Sequence, residues 1–285
     1  MASPRGGRKR APSTDSEAPR RGDRGSELDG RLSPRQSRAV AASSVSDLPP
    51  VLFEDEHLLA FDKPSGLLSA PDRWDKEATH LVALAQVRYG PEAFNVHRLD
   101  RETTGVILFA KAREPLTRAA RLFAEGKVRK RYLALVRGRL PRDEMTVDRP
   151  IASDPSRPGR MRLSLRYGRP AATELRALEK WRSGSLIEAF PKTGRTHQVR
   201  LHLASVGCPL LADPLYADGQ PLLLSKLKSG YKFKKDAEER PLLARAALHA
   251  ESLELPHPVT GEPLTIRAPL PKDFEIALKY LRRFG

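Results

Sequence analysis

The sequence predicts a globular region that mixes short β-strands with amphipathic helices and follows a basic tail. Three observations indicate this organisation. Short runs rich in β-branched and aromatic residues recur from Val51 onward, and one of them, residues 106–110, is too short for a helix. Apolar residues at helical spacing lie between several of these runs. Residues 1–50 show neither pattern, which separates the tail from the globular region.

The tail is expected to be disordered. Residues 1–50 contain nine Arg and one Lys against four Asp and two Glu, with almost no aromatic or large aliphatic side chains. Such a segment cannot bury enough apolar area to offset the entropy of ordering its backbone. Its start has no apolar core for a signal peptide. Two interpretations of its function stay open, a loose tether for RNA and a solvated linker.

The charge of the chain favours a polyanionic partner. Its formal net charge is +16, and the lysines and arginines of residues 51–285 supply most of the excess. A surface this basic favours nucleic acid ahead of an anionic membrane, although general solubility would also explain it. The longest apolar stretches are far below the roughly 18 residues that a membrane-spanning helix needs, so no membrane segment is predicted.

Cysteine usage bears on the compartment. Cys208 is the single cysteine, which excludes an internal disulfide and fits a reducing compartment. We therefore expect a cytoplasmic protein. The apolar neighbours of Cys208 indicate a buried, unreactive thiol.

The first half of the globular region predicts three strands and two helices. Gly90 and Gly126 follow the two helical patterns and would end them. In chain order the elements are strands 51–53 and 58–61, a helix 77–89, a strand 106–110 and a helix 114–125.

The second half predicts a longer series of strands. Residues 128–136 alternate, which places Tyr132, Ala134 and Val136 on one face and Leu133 and Leu135 on the other. Residues 219–241 are interpreted as a basic insertion loop, in which lysines interleaved with aromatic residues suit RNA, or as a disordered surface insertion. The other elements are strands joined by Pro- and Gly-rich turns over 138–191, a helix 196–206, strands 243–255 and 264–267, and a helix 272–283.

The first chemically dense motif is residues 97–105, His-Arg-Leu-Asp-Arg-Glu-Thr-Thr-Gly. The buried strand that follows would anchor Asp100 on a loop against the core. Gly105 can supply the positive φ, or the close backbone approach, that entry of such a loop into a strand often needs. On this motif alone, a surface turn closed by a salt bridge would be the favoured interpretation.

A second motif, residues 194–202, holds two arginines, two histidines and a glutamine in nine positions. Helical spacing would point Arg200 inward among apolar neighbours, where it needs a carboxylate, and Asp100 is the partner that we expect. Zinc is disfavoured because His197 and His202 lie off a common helical face with only Cys208 nearby. We expect no metal site.

Together the two motifs resemble the signatures of the RluA-type pseudouridine synthases, which are close to H-R-L-D-x-x-T-S-G and G-R-T-H-Q-x-R-x-H. Thr104 stands where that family usually has Ser, which retains the hydroxyl and adds a methyl group. The resemblance extends over roughly residues 51–275. Further matching segments follow in the family's order, namely 62–69, 130–136, 248–250, 257–262 and 268–271.

The resemblance implies an α+β fold. It predicts a mixed, mostly antiparallel sheet with flanking helices and an active-site cleft across its middle, formed by one catalytic domain over residues 51–285. No additional small RNA-binding domain of the S4 type is expected before it. The tail occupies that place, so target choice would depend on the catalytic domain, its insertion and the tail.

The resemblance also implies an activity, the isomerisation of uridine to pseudouridine in RNA after the uridine is flipped from its stack. Asp100 would be the essential carboxylate, either as nucleophile or as base at the ribose. Arg200 would hold Asp100 ionised, and Tyr132 would stack on the base. The other motif residues would contact the substrate, namely His97, Arg98, Thr103, Thr104, Arg195, Thr196, His197 and Gln198.

No cofactor is expected, and a monomer acting on ribosomal RNA or transfer RNA is predicted. Two alternatives stay open at this point. One is a non-catalytic RNA-binding protein, such as a ribosome-assembly factor, on the same fold. The other is a metal-dependent RNA hydrolase, which would need a carboxylate or histidine cluster that the sequence does not show.

Overall fold

The computed structural model describes residues 48–71, 78–231 and 238–285. Its helices are α1 Leu81–Tyr89, α2 Arg113–Ala124, α3 Gln198–Ser205, α4 Leu224–Leu227 and α5 Lys272–Phe284. Its strands are β1 Val51–Glu54, β2 Leu58–Lys63, β3 Phe94–Asn95, β4 Thr104–Ala110, β5 Arg129–Arg137, β6 Glu144–Asp148, β7 Ile151–Ser153, β8 Met161–Leu163, β9 Ala172–Lys180, β10 Gly184–Pro191, β11 Leu248–Pro256 and β12 Pro263–Arg267.

Ten of the described strands form one mixed sheet in the order β1-β2-β4-β11-β5-β10-β9-β6, with β3 beside β4 and β12 beside β11. Only the β4–β11 pair within this described sheet is parallel. Strands β7 and β8 form a separate antiparallel hairpin. This architecture confirms the predicted α+β fold with a mostly antiparallel sheet.

Helices pack on both faces of the sheet. Leu133 and Leu135 of β5 face α5, where they share a buried cluster with Phe274. Ala134 and Val136 face the opposite way and pack with α3. Tyr132 also packs on the α3 side, so the predicted division of β5 into two faces is confirmed. The alternation works because successive strand side chains point to opposite sides of a sheet.

One row of the sheet brings distant chain segments together. Lys63 pairs with Gly105, Gly105 with Ala250, Ala250 with Tyr132, and Tyr132 with Ala189. Residues in one row project to the same face, so the end of the 97–105 loop and Tyr132 meet there. The Tyr132 side chain between these alanines is partly buried.

Several element boundaries differ from the predicted ones. Helix α1 begins at Leu81, since His80 caps it by accepting a hydrogen bond from the Ala83 N–H. Helix α3 begins at Gln198, two residues late, because His197 has a left-handed backbone. Strand β11 begins at 248 and not at 243, because Leu243 pairs outside the sheet in an isolated bridge with Leu222.

Some predictions fall outside the described residues or on single positions. Residues 1–47 of the predicted tail and residues 232–237 of the predicted insertion loop lie outside the described part of the chain. Within 48–71, 78–231 and 238–285, no helix has both the length and the apolar character needed to cross a membrane. Cys208 is fully buried, as predicted, and burial raises the pKa of its thiol.

Gly105 should be intolerant of any side chain. Its φ is +108°, and a Cβ at this position would lie 2.1 Å from the Ala250 carbonyl oxygen. We expect Gly105→Ala to lower the free energy of unfolding by about 3 kcal/mol or more, because the β4–β11 pairing must shift. Gly126→Ala is the matched control: its φ is +70° but the space around it is open, so it should cost about 1 kcal/mol. Equal losses in urea unfolding would contradict the role of close approach.

Candidate active site

A cavity of about 730 Å³ brings the two sequence motifs together. The 97–103 loop forms one wall and residues 193–200 form the other, with Lys130 and Tyr132 of β5 between them. Its volume lies within the range of roughly 300–1,000 Å³ that is typical of ligand pockets. The cleft lies across the middle of the sheet, where the resemblance placed it.

Asp100 lies in this cleft with a quarter of its side chain exposed. Arg200 Nη1 donates a hydrogen bond to Asp100 Oδ2 at 3.3 Å, so the expected contact between the two motifs is present. His197 Nε2 lies 4.0 Å from the same oxygen. The carboxylate therefore faces both the cleft and a cationic partner.

The stronger partner of Arg200 is Asp213, which the sequence analysis missed. Arg200 Nε and Nη2 donate to the two Asp213 oxygens at 2.8 and 2.7 Å, a bidentate pair that is fully buried on the aspartate side. Burial opposes the charge on Arg200, but the Asp213 and Asp100 carboxylates raise its pKa above the ordinary value. Asp213 also accepts from the backbone N–H groups of Leu215 and Tyr216.

Two strained residues flank this ion pair. His197 has φ +54° and Ala212 has φ +55°, and they are the non-glycine residues with positive φ in the described part of the chain. His197 directly precedes helix α3, which carries Arg200. Ala212 directly precedes Asp213. Strain of this kind costs of order 1–3 kcal/mol and persists only where the surroundings enforce it. The backbone is thus bent on both sides to bring Arg200 and Asp213 together.

Two residues of β5 present polar groups to the cleft. Burial, and then the charge of Asp100, raises the pKa of Tyr132 well above its ordinary value, so the phenol stays protonated at neutral pH. Lys130 Nζ donates to the Thr193 carbonyl at 3.1 Å, and burial lowers the pKa of Lys130 to about 8. Sequence analysis placed Lys130 in a matching segment but gave it no role in the site.

Lys63 fixes the backbone of the loop that carries Asp100. Its side chain is fully buried, and Nζ donates to the carbonyls of Pro64, Leu67 and Arg101 at 2.9, 2.8 and 3.0 Å. Burial lowers the pKa of Lys63 to about 7, although Glu102 and Asp100 oppose this effect. One amino group thereby ties the 64–67 turn to the loop that carries Asp100.

Two of the predicted substrate-binding residues hold the loop in place, and one of them, His97, also lines the cleft. His97 Nε2 accepts from the Leu108 N–H at 3.1 Å and its ring stacks on Phe123. Burial lowers the pKa of His97 to about 3, so the ring is neutral. The Thr104 hydroxyl is buried beneath the loop, 2.9 Å from His249 Nδ1, and does not line the cleft.

Some of the remaining predicted substrate-binding residues are buried, and others have surface exposed to the cleft. Gln198 is buried, and its amide bonds Thr193, Thr173 and two backbone groups, so it fixes the start of α3. Thr103 is buried but borders the cleft. The others line the cleft with some exposed surface, namely Arg98, Arg195, Thr196 and His197.

In the part of the chain that the structure describes, no group of three or more His, Cys, Asp or Glu side chains is arranged to hold a metal ion. His202 is fully buried and bonds Thr173 Oγ1 at 2.9 Å and the Arg149 carbonyl at 3.0 Å, which is a structural role.

Comparison with known proteins assigns the family. Residues 57–205, more than half of the chain, match the family described as RNA pseudouridylate synthase. The chain is 40% identical over 236 residues to ribosomal large subunit pseudouridine synthase D of Nitrosomonas europaea, which covers 81% of this chain and 65% of that protein. It is 34% identical to the dual-specificity RNA pseudouridine synthase RluA of Escherichia coli K12, covering 77% of this chain and 92% of that protein.

A solved structure supports the same assignment. Human RNA pseudouridylate synthase domain containing 4 matches with a TM-score of 0.61 at 27% identity, covering 87% of this chain and 97% of that one. The chain belongs to the RNA pseudouridylate synthase family, the class of enzyme predicted from its motifs. Within that class it is related to RluA, which confirms the predicted type.

The two partners of Arg200 should differ sharply in their effect on stability. Asp213→Asn should lower the free energy of unfolding by about 3 to 5 kcal/mol, because it leaves a buried guanidinium without its bidentate partner. Asp100→Asn should cost less than about 1 kcal/mol, because its single, longer contact is partly exposed. Urea unfolding of both variants tests this, and equal losses would contradict the assignment of Asp213 as the main partner.

His249 should make the fold sensitive to acid. Burial lowers its pKa to about 4 in the folded protein, against about 6.5 for an ordinary histidine. Between these values the unfolded chain binds the extra proton, so stability falls as the pH drops from 6.5 to 4, by up to about 1.4 kcal/mol per pH unit. His249→Gln should remove that part of the slope. Urea unfolding at a series of pH values would give the same slope for both proteins if His249 were not responsible.

Proposed function

We propose that this protein isomerises uridine to pseudouridine in structured RNA, with Asp100 as its essential carboxylate. One observation carries the proposal. Asp100 is held in the cleft by a guanidinium whose charge Asp213 already balances through two shorter bonds. The contact at 3.3 Å therefore orients the Asp100 carboxylate while leaving it able to act on a substrate.

The reaction is an internal exchange of bonds and needs no external reagent. The glycosidic bond from nitrogen to the ribose breaks, the uracil turns, and carbon C5 of the same ring is joined to the ribose. C5 then loses its proton and the released nitrogen gains one, so product and substrate have the same atoms. Asp100 acts either as nucleophile or as base at the ribose, and both routes require a carboxylate within reach of the sugar. We propose no cofactor and no metal for this chemistry.

Tyr132 is proposed to stack on the uracil. Its side chain is partly buried beside Ala250 and Ala189 and lines the cleft. The raised pKa keeps its hydroxyl protonated, so the phenol offers a hydrogen-bond donor rather than a negative charge to the base. Stacking of this kind is insensitive to ring rotation, which suits a base that must turn within the site.

The rim of the cleft is suited to RNA. Arg98 and Arg195 lie at its edge, and Lys130 lies deeper. Guanidinium groups at such positions bind phosphates, and Arg98 is placed to brace the space that a flipped uridine leaves. The relatives are named for ribosomal RNA of the large subunit and for dual specificity. We propose ribosomal RNA, transfer RNA or both as substrates of a monomeric protein in the cytoplasm.

The decisive experiment is pseudouridine mapping of total RNA from cells that lack the gene, complemented with the wild type or with Asp100→Asn. We expect one or a few sites to disappear and to return only with the wild type. On a transcript carrying such a site, the variant should be at least about a hundredfold slower, because the reacting carboxylate is gone. Activity in excess chelator should be unchanged.

Two results would contradict the proposal. If no site changes although the wild type binds RNA, the non-catalytic RNA-binding protein becomes the better interpretation. If a chelator abolishes an RNA-cleaving activity, the protein is a hydrolase. Restoration of the sites by Asp100→Asn would remove Asp100 from the mechanism while leaving the reaction in place.

A further inference from the structure

Residues 149–170, called here the arginine arm, lie outside the ten-stranded sheet and contain the β7–β8 hairpin. The arm has a single acidic residue, Asp154, against six arginines. Five of the arginines are exposed and the sixth, Arg160, is partly buried. The six are Arg149, Arg157, Arg160, Arg162, Arg166 and Arg169.

The arginines of the arm are neutralised only in small part within the described structure, where Asp154 attracts Arg160 and Arg162 electrostatically. None of the six forms an ion pair with a carboxylate of residues 48–71, 78–231 or 238–285. Elsewhere on the surface, Arg176 pairs with Glu144 at 2.9 Å and Arg282 pairs with Glu179 at 2.6 Å. One carboxylate cannot balance six clustered guanidiniums, which repel one another, so an external anion would be bound favourably.

An exposed aromatic residue accompanies this charge. Tyr167 is 64% exposed, and the Arg166 guanidinium lies 5.1 Å from its ring centre. The turn that presents it is fixed, since the Tyr167 N–H donates to Ser164 Oγ at 3.1 Å and the Gly168 N–H donates to the Ser164 carbonyl at 2.9 Å. An exposed aromatic ring presented among arginines is typical of surfaces on which single-stranded bases stack.

The arm is continuous with the cleft. The Tyr216 hydroxyl accepts from the Met161 N–H of the arm at 2.9 Å and lies 3.0 Å from His197 Nδ1 on the cleft side. Arg195, which lines the cleft, donates from Nε to the Pro170 carbonyl at the end of the arm. Ile151 packs with Leu201 of α3, the helix that carries Arg200. RNA leaving the cleft on this side would meet the arm next.

We propose that the arginine arm is a second RNA-contact surface, on which the guanidiniums bind phosphates and Tyr167 stacks on an unpaired base flanking the target. The inference rests on the proposed function and deepens it by naming a surface that selects single-stranded RNA beside the modified uridine. An acidic protein segment would satisfy the arginines but would give the exposed tyrosine ring no stacking partner.

The test measures binding in the Asp100→Asn background, so its result does not depend on catalysis. Two fluorescent RNAs of equal length serve as probes, a hairpin with a uridine-containing loop and a fully paired duplex. The hairpin should bind more tightly than the duplex. Tyr167→Ala should weaken hairpin binding about tenfold, as expected for one lost base stack, and leave duplex binding unchanged. Tyr167→Phe, which keeps the ring, should bind like the parent protein.

The arginines are tested by the salt dependence of binding. Replacing both Arg162 and Arg166 with Gln should reduce the slope of log affinity against log salt by roughly 1.4 to 1.8, for two lost phosphate contacts. Arg182→Gln is the matched control, since Arg182 is exposed in the β9–β10 turn at the far end of β9 from the arm. This control should leave the slope unchanged.

Three results would overturn the inference. They are an unchanged hairpin affinity in Tyr167→Ala, an equal loss of slope in the Arg182→Gln control, and competition by polyglutamate as effective as that by RNA, which would indicate an acidic protein partner. Failure of the proposed function would look different, because pseudouridine mapping would then show no change while the arm variants still altered RNA binding.

Discussion

The buried ion pair between Arg200 and Asp213 is the constraint on which the rest of the site depends. A guanidinium that is only 5% exposed needs close, well-aligned partners, and Asp213 supplies two bonds below 3 Å. The bent backbone at His197 and Ala212 is maintained by this pairing. The pair with Asp213 uses two nitrogens of Arg200, Nε and Nη2. The third nitrogen, Nη1, faces the cleft and donates to Asp100 at the longer distance of 3.3 Å.

The opposite wall of the cleft is held by hydrogen bonds and not by a buried ion pair. Here the supports of the Asp100 loop are mostly hydrogen bonds to backbone groups: Lys63 binds three carbonyls, and His97 accepts from a strand amide. Both side chains are so desolvated that their pKa values lie far below the ordinary ones. Polar groups committed in this way give the loop rigidity, while the neighbouring Arg98 side chain is exposed at the edge of the cleft.

Sequence reasoning identified what depends on local pattern. The alternation of residues in β5 predicted the face of the sheet on which Tyr132 lies. The two motifs predicted the contact between Asp100 and Arg200, which is present. Gly105 was expected to permit a close backbone approach, and it does so beside Ala250. It missed Asp213 because the pairing of a buried arginine is decided by tertiary packing, and an aspartate before a proline reads as a turn. It also assigned Thr104 to the substrate, because the direction of a hydroxyl depends on strand register, which places His249 beside it.

The position of β11 has a consequence for folding. This strand lies between β4 and β5, so the segments that carry Asp100 and Tyr132 are not neighbours until it is inserted. The contact between Thr104 and His249 spans 145 positions, and such distant pairings form late because a long loop must close first. During synthesis the arginine arm emerges well before β11 does. With the arm in its proposed role, a nascent chain would gain its contact surface for RNA before its chemistry, and insertion of β11 would complete the active site.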